Sequence, residues 1–216
     1  MKNDFIAALV PAYNEENNIT PVLEVLKNIS VLNQVLVIDD GSKDQTAEVA
    51  QKQGFDVLRL EKNGGKGAAL EAGLKKIPDA DIYIFIDADL VGLETKHVED
   101  MLSPLRLKND ISMTVGKFTG GRKSTDWAQR LVPQISGQRA MRSELAKALP
   151  SLKSEGFGVE VAITRFAKKN GFRAEEVILK NMTQVMKEEK MGVSRGFANR
   201  LKMYSHIIKS IFKHSS

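Results

Sequence analysis

The stretch Ile82–Asp89, IYIFIDAD, decides the fold. Its five leading apolar residues are β-branched or aromatic, and the run is far shorter than a typical helix. It therefore reads as a strand buried on both faces. Two aspartates at alternate positions end it. Working outward from there, three similar runs precede it: Phe5–Val10 (FIAALV), Val35–Ile38 (VLVI) and Phe55–Leu60. Helical spacing fills the gaps. Ile19, Val22, Leu23, Leu26 and Ile29 repeat after a cap expected at Asn14, with Pro21 in the first turn. A second helix is expected over 45–53, stopped by Gly54. A third follows the glycine loop 63–67 and ends near Lys76, before Pro78. Strand and helix thus alternate along the first part of the chain, which predicts β-α-β crossovers and a doubly wound α/β fold. Its single Rossmann-like sheet would be mostly parallel, with helices on both faces.

Beyond residue 90 the pattern predicts a helix near 95–107 and a strand near 111–118. Gly120-Gly121 opens a basic, polar loop. Helices are expected near 140–149 and 158–169, a helix stop at Asn170-Gly171, and a strand over 172–179. No repeat or low-complexity tract is visible. The whole of 1–216 is expected to be one domain, with a nucleotide-binding half (1–92), a sugar and acceptor half (93–190) and a C-terminal amphipathic helix (191–216).

The chain has 216 residues, of which 42% are hydrophobic and 27% charged, the proportions of an ordinary globular protein. No window approaches the roughly 18 apolar residues of a membrane span. The apolar run after Met-Lys-Asn-Asp is too short for a signal-peptide core. A cytoplasmic location is the expectation, and the absence of cysteine agrees with it. The net charge of +5 is compatible with phosphorylated ligands, an anionic membrane or a solvated lysine-rich surface. No nucleic-acid partner is expected.

The polar clusters follow the ends of strands one, two and four, where open α/β sheets bind ligands. Asp87 and Asp89, with Ala88 between them, can turn two carboxylates toward one divalent cation and a diphosphate. Asp39-Asp40-Gly41-Ser42, with Asp44, can accept a base N–H and also build a turn. Asn63-Gly64-Gly65-Lys66-Gly67 could cradle a phosphate on backbone N–H groups, with Lys66 adding charge. It lacks the P-loop spacing, however, and such clusters are often plain loops. His97, His206 and His214 have no metal-ligand spacing and are read as surface residues. Trp127 is read as packing rather than as a sugar platform. Phe197, Leu201, Tyr204, Ile208, Ile211 and Phe212, with interleaved Arg and Lys, predict a basic amphipathic helix. It would either dock on the body or lie on an anionic membrane through 195–214, a peripheral position at the inner face.

Together the motifs resemble family 2 glycosyltransferases of the GT-A fold. The resemblance rests on Val10–Glu16 (VPAYNEE), Val37–Ser42 (VIDDGS) with Asp44 and Thr46, Gly65-Lys66-Gly67 with Ala69, Leu70 and Gly73, and Phe85–Asp89 (FIDAD). It is close over 5–92 and looser beyond. The order is similar to that of dolichyl-phosphate sugar transferases and glucosyl-3-phosphoglycerate synthases. The resemblance implies a hexose, glucose first, moved from a UDP-sugar with Mg2+ or Mn2+. Pro11, Ala12, Tyr13 and Glu15 would border the nucleotide. Asp39 would meet uracil with Asp40 nearby, and Lys66 would lie by the base and phosphates. Asp87 would face ribose or metal, Ala88 would line the nucleotide-sugar, and Asp89 would bind the metal. Ser136-Gly137-Gln138-Arg139 would lie on the sugar and acceptor side, with Glu155 and Glu160 as candidate contacts. Gln184 stands where many relatives supply a histidine to the metal. Asp89, Glu160 and Arg139 are thus the catalytic candidates. No general base stands out, which would suit an acceptor that is already a phosphate or carboxylate, and also the basic residues Arg122, Lys123, Arg130, Arg139 and Arg142.

Two other functions are open on the residues alone: a sugar-phosphate nucleotidyltransferase, and a non-catalytic nucleotide-sugar or membrane-binding module. The first usually carries a glycine- and lysine-rich signature after its first strand, where this chain reads Pro-Ala-Tyr-Asn-Glu-Glu. A homodimer is also compatible with the sequence.

Overall fold

The computed structural model describes residues 4–119, 138–153 and 158–184. Its elements run β1 (Ile6–Ala12), α1 (Ile19–Lys27), β2 (Gln34–Asp39), α2 (Thr46–Lys52), β3 (Asp56–Arg59), α3 (Lys66–Lys76) and β4 (Ile82–Phe85). They continue with β5 (Leu90–Val91), α4 (Thr95–Leu107), β6 (Met113–Thr119), β7 (Arg139–Arg142), α5 (Ser143–Ala148), α6 (Val159–Lys169), β8 (Ala174–Lys180) and β9 (Thr183–Gln184). Seven strands form one sheet in the order β3-β2-β1-β4-β7-β6-β8, and β5 pairs with β9 apart from it. Within the sheet only β7 runs antiparallel to its neighbours. This is the mostly parallel, doubly covered α/β sheet that the alternation predicts.

β1 shows why its run is continuously apolar. Ile6, Ala8, Val10 and Ala12 pack into one core with Ile19, Val22, Leu23 and Leu26 of α1 and with Val98, Met101 and Leu105 of α4. Ala7 and Leu9 enter the opposite core with Leu70 of α3, Leu145 of α5 and Ile163 of α6. A strand with helices on both faces has no position left for a polar side chain. β1 continues through Pro11, past its expected end. The Leu9 carbonyl accepts from Ile86 N–H and the Ala12 carbonyl from Asp40 N–H, so odd-numbered residues present their backbone to β4. Pairing with β4 stops at Leu9, and the N–H that Pro11 lacks costs no ladder bond.

Two local expectations are corrected. Residues 140–149 are not one helix: Arg139–Arg142 is β7, and only Ser143–Ala148 is helical. Arg, Ala and Met favour helices, but the seat between β4 and β6 overrides that weak preference. Asn14 does not cap α1. It adopts a left-handed φ of 56°, and its Oδ1 accepts Lys43 N–H at 2.9 Å, tying the β1–α1 loop to the β2–α2 loop. Among the described residues no helix is long and apolar enough to cross a membrane. The expected helix 191–216, the membrane contact through 195–214, Trp127, His206 and His214 lie outside the described residues.

Candidate active site

The carboxyl end of β2 carries the first part of the site. Asp39 is fully buried; its Oδ1 accepts Ser42 N–H at 3.0 Å. Register opposes Asp39 to Arg59 on β3, and Arg59 Nε lies 3.2 Å from Asp39 Oδ2. That contact does not have hydrogen-bond geometry, so Oδ2 is a buried acceptor without a hydrogen-bond donor. Ala12 is the register partner of Asp39 on the other side, which brings Pro11, Ala12 and the half-exposed Tyr13 beside it. Asn14 N–H donates to Ser42 Oγ at 3.0 Å and Glu15 N–H to Thr46 Oγ1 at 2.8 Å, locking the two loops together. Glu15 itself accepts from Asn18 Nδ2 at 2.8 Å.

Asp40 does something different. Its Oδ1 accepts Gly64 N–H at 2.9 Å and its Oδ2 accepts Gly65 N–H at 2.8 Å. Burial raises its pKa, with Asp39 adding to the effect, against the lowering by these two donors. The close approach needs Gly41: a Cβ there would stand 2.8 Å from Asn63 N, and its φ is +71°. Of the expected phosphate cradle at residues 63–67, the N–H groups of Gly64 and Gly65 are thereby spent on Asp40, which leaves only the start of α3 at Lys66 and Gly67 for that role.

The second part of the site forms at the end of β4. Asp87 is buried, as is Ala88, and Asp89 is partly buried. Lys66, at the start of α3, places its Nζ 2.5 Å from Asp87 Oδ1 and 2.6 Å from Glu160 Oε1 on α6. Because β7 is antiparallel, with Phe85 opposite Arg139, its amino end arrives at the carboxyl end of β4. Gln138 and Arg139 therefore join Asp87, Arg139 as a nearby positive charge that favours the ionised carboxylate. Gln184 comes from β9, whose pairing with β5 sets it opposite Leu90, and its Nε2 donates to Asp87 Oδ2. The fully buried Arg139 donates to Thr164 Oγ1 at 3.2 Å, and Thr164 donates to the Glu160 carbonyl at 2.9 Å.

Four opposite charges thus share one partly dry space. Burial pulls the Arg139 guanidinium down to about 10, against the attraction of Glu160 and Asp87. Burial also pushes the Lys66 ammonium down, but Asp87 and Glu160 outweigh it and hold its pKa above that of an ordinary lysine. Asp87 follows the same balance: burial raises it, while Lys66, Gln138 and Arg139 bring it below the usual carboxylate range. Among the described residues no three His, Cys, Asp or Glu side chains cluster as a metal site. The oxygens that a metal would recruit are those of Asp87, which here face Lys66 and Gln184, those of Asp89, and that of the Gln184 amide, which a turn about the terminal bond presents in place of its nitrogen. Such hard donors fit Mg2+ or Mn2+.

Other expectations separate here. His97 is buried, not a surface residue: its Nδ1 accepts Glu94 N–H at 3.1 Å in a box at the start of α4. Arg142 is no acceptor-side cation. It lies opposite Ile82 at the other end of β4 and donates to the carbonyls of Ile111 and Leu105. Arg122, Lys123, Arg130, Ser136, Gly137, Glu155, Gly156 and Phe157 lie outside the described residues. Two residues escaped the sequence reading. Thr164 had a usable signal, one helical turn after Glu160, whereas Arg59 had none without the strand register.

Comparison with known proteins agrees with this geometry. The model of glycosyl transferase family 2 matches residues 7–172. An uncharacterised protein of Methanocaldococcus jannaschii is 32% identical, over 98% of this chain and 95% of its own length. The glucosyl-3-phosphoglycerate synthase of Petrotoga mobilis is 28% identical over 73% of this chain, and the match spans 58% of the synthase. The crystal structure of the Mycobacterium tuberculosis glucosyl-3-phosphoglycerate synthase, in complex with Mn2+, UDP-glucose and phosphoglyceric acid, superposes with a TM-score of 0.79. It is 24% identical, covering 97% of this chain and 79% of that one.

Proposed function

The chain belongs to glycosyl transferase family 2, and on that premise we propose that it moves glucose from UDP-glucose to a small acceptor bearing a phosphate or carboxylate, with Mg2+ or Mn2+. The observation that carries this reading is the meeting of Lys66, Arg139, Glu160 and Gln184 around Asp87 at the end of β4, on the same edge of the sheet as the buried acceptor of Asp39 at the end of β2. That arrangement supplies an acceptor for a base N–H, cations for a diphosphate and a carboxylate for a sugar. The chain is similar to glucosyl-3-phosphoglycerate synthases, and the M. tuberculosis enzyme was crystallised with Mn2+, UDP-glucose and phosphoglyceric acid, which supports a donor and an acceptor of these kinds.

Asp39 Oδ2 would accept the uracil N–H once the half-exposed Arg59 swings aside, which orients the nucleotide along the ends of β1 and β2. Pro11, Ala12, Tyr13 and Glu15 would wall it. Asp87, Asp89 and Gln184 would hold the metal, which offsets charge on the departing diphosphate. Lys66 and Arg139 would add fixed positive charge near the same phosphates without moving in from solvent. Glu160, held by Lys66, would orient a sugar hydroxyl. An acceptor whose attacking oxygen is already anionic needs no strong base, and His97, the one histidine among the described residues, is held in the box at the start of α4. A lipid phosphate satisfies the same chemistry and is the second acceptor class to test. Family membership disfavours both the nucleotidyltransferase and the non-catalytic module.

A donor screen by ligand-induced melting shift tests the proposal, because a ligand that binds the native state raises the melting point by mass action. With Mn2+ present, UDP-glucose is expected to give the largest shift among UDP-, GDP- and dTDP-sugars. A larger shift with a GDP-sugar would overturn the donor assignment.

A further inference from the structure

β8 closes one side of the sheet, and among the described residues no strand pairs with its outer edge. The Arg173 carbonyl accepts from Met113 N–H, and Asn181 N–H donates to the Thr119 carbonyl. Odd-numbered residues of this strand therefore direct their backbone groups to β6, and Glu176, Ile178 and Lys180 direct theirs outward. The side chains divide the same way. Leu179 is buried and Val177 packs against it in the core, whereas Glu176, Ile178 and Lys180 are exposed. Ile178 is 49% exposed, one of the few large apolar side chains in that state among the described residues. An open edge with an apolar centre is a template for another strand.

We propose that this edge pairs with β8 of a second copy of the chain, antiparallel, about a two-fold axis at Ile178. The sequence Glu176-Val177-Ile178-Leu179-Lys180 is self-complementary in that register alone. Ile178 meets the partner's Ile178, and Glu176 meets the partner's Lys180 on both sides of the axis. All three positions direct backbone groups outward, so each facing pair exchanges two N–H···O bonds, the closed arrangement of an antiparallel ladder. Their side chains lie on one face, where opposite charges and apolar pairs across strands are favourable. An axis at Glu176 would oppose two carboxylates. An axis at Val177 would set Glu176 against an isoleucine. The partner is thus chosen by charge pattern, and a two-fold copy is the commonest way to close such a surface. Lys117 Nζ on β6 lies 2.6 Å from Glu176 Oε2 on the inner side of the strand, and Glu176 still keeps 60% of its side chain exposed for a second cation. Glu175 is occupied on the other face by Lys108 at 2.7 Å and does not compete.

Sedimentation of the full chain across the micromolar range tests the pairing. The wild type should show a concentration-dependent dimer. Ile178→Lys, which sets two ammonium groups on the axis, should weaken it by roughly tenfold or more, and so should Lys180→Glu. The double variant Glu176→Lys/Lys180→Glu restores opposite charges across the axis and should recover the dimer. Circular dichroism melting checks that each variant is folded, and the charge-swap pair keeps the test intact if Ile178→Lys does not fold. A wild type that stays monomeric throughout, or a dimer indifferent to all three variants, would overturn the proposal.

Discussion

Lys66 Nζ stands 2.5 Å from Asp87 Oδ1, so the acid that ends the fourth strand is neutralised by a helix start about twenty residues earlier in the chain. The same ammonium holds Glu160 at 2.6 Å. Replacing it with methionine leaves two carboxylates facing each other, with Arg139 as the remaining nearby cation. Breaking a fully buried pair costs roughly 3–5 kcal/mol, but the Lys66 side chain is 25% exposed and water screens part of that. Lys66→Met should therefore lower stability by about 1–3 kcal/mol, read as a lower urea midpoint with an unchanged slope. An unmoved midpoint would show that the cluster contributes no net stability.

Asp40 should act through the glycine loop. Asp40→Ala strips the acceptors from Gly64 and Gly65 N–H, at a cost of about 2 kcal/mol. Hydrogen exchange at those two amides should accelerate well before global unfolding, and UDP affinity should fall as Lys66 loses its anchor. Asp40→Asn, which keeps one acceptor, should fall between the two. Retained protection at Gly64 and Gly65 in the alanine variant would refute this role.

Acid stability should depend on Glu71. Its carboxylate accepts from Lys75 Nζ at 2.6 Å, Ser151 Oγ at 2.8 Å and Leu152 N–H at 3.0 Å, and the Lys75 bond is the first cause of a pKa held at about 2. The native state binds this proton less readily than the unfolded chain does. The contribution is thus complete above the ordinary value of 4.5 and is lost as pH falls toward 2. Urea titrations at about pH 6 and about pH 3 should differ less for Glu71→Gln than for the wild type.

Base selectivity should reside in Asp39. A carboxylate accepts the N3–H of uracil, whereas cytosine presents a bare N3 acceptor at the same place. Calorimetry should show UDP binding more tightly than CDP. Asp39→Asn offers an amide in place of the carboxylate and should narrow that gap by roughly tenfold, the scale of one charge-assisted hydrogen bond. Equal discrimination in the variant would remove Asp39 from the base contact.

Much of this architecture can be read from local pattern. Continuous apolar runs such as Ile82–Ile86 declare strands covered on both faces, and the polar clusters that follow them mark the working end of the sheet. What local pattern hides is pairing across the chain. Arg139–Arg142 has the composition of a helix and becomes a strand because β4 and β6 leave an antiparallel slot. Asn14 looks like a cap but serves the neighbouring loop through Lys43. The Gly64 and Gly65 amides look like a phosphate cradle but are committed to Asp40, which stands more than twenty residues away. Gln184 reaches Asp87 through the β5–β9 ladder, which no spacing within the motif announces.

The central claim is that nucleotide binding at these strand ends needs a divalent ion held by Asp87, Asp89 and Gln184. Calorimetric titration of UDP into the protein with Mn2+, with chelator, and into Asp89→Ala with Mn2+ tests it most directly. Saturable binding is expected in the first case, weakened by roughly tenfold or more in the other two. No binding of UDP with Mn2+ present, or the same affinity in all three, would contradict it.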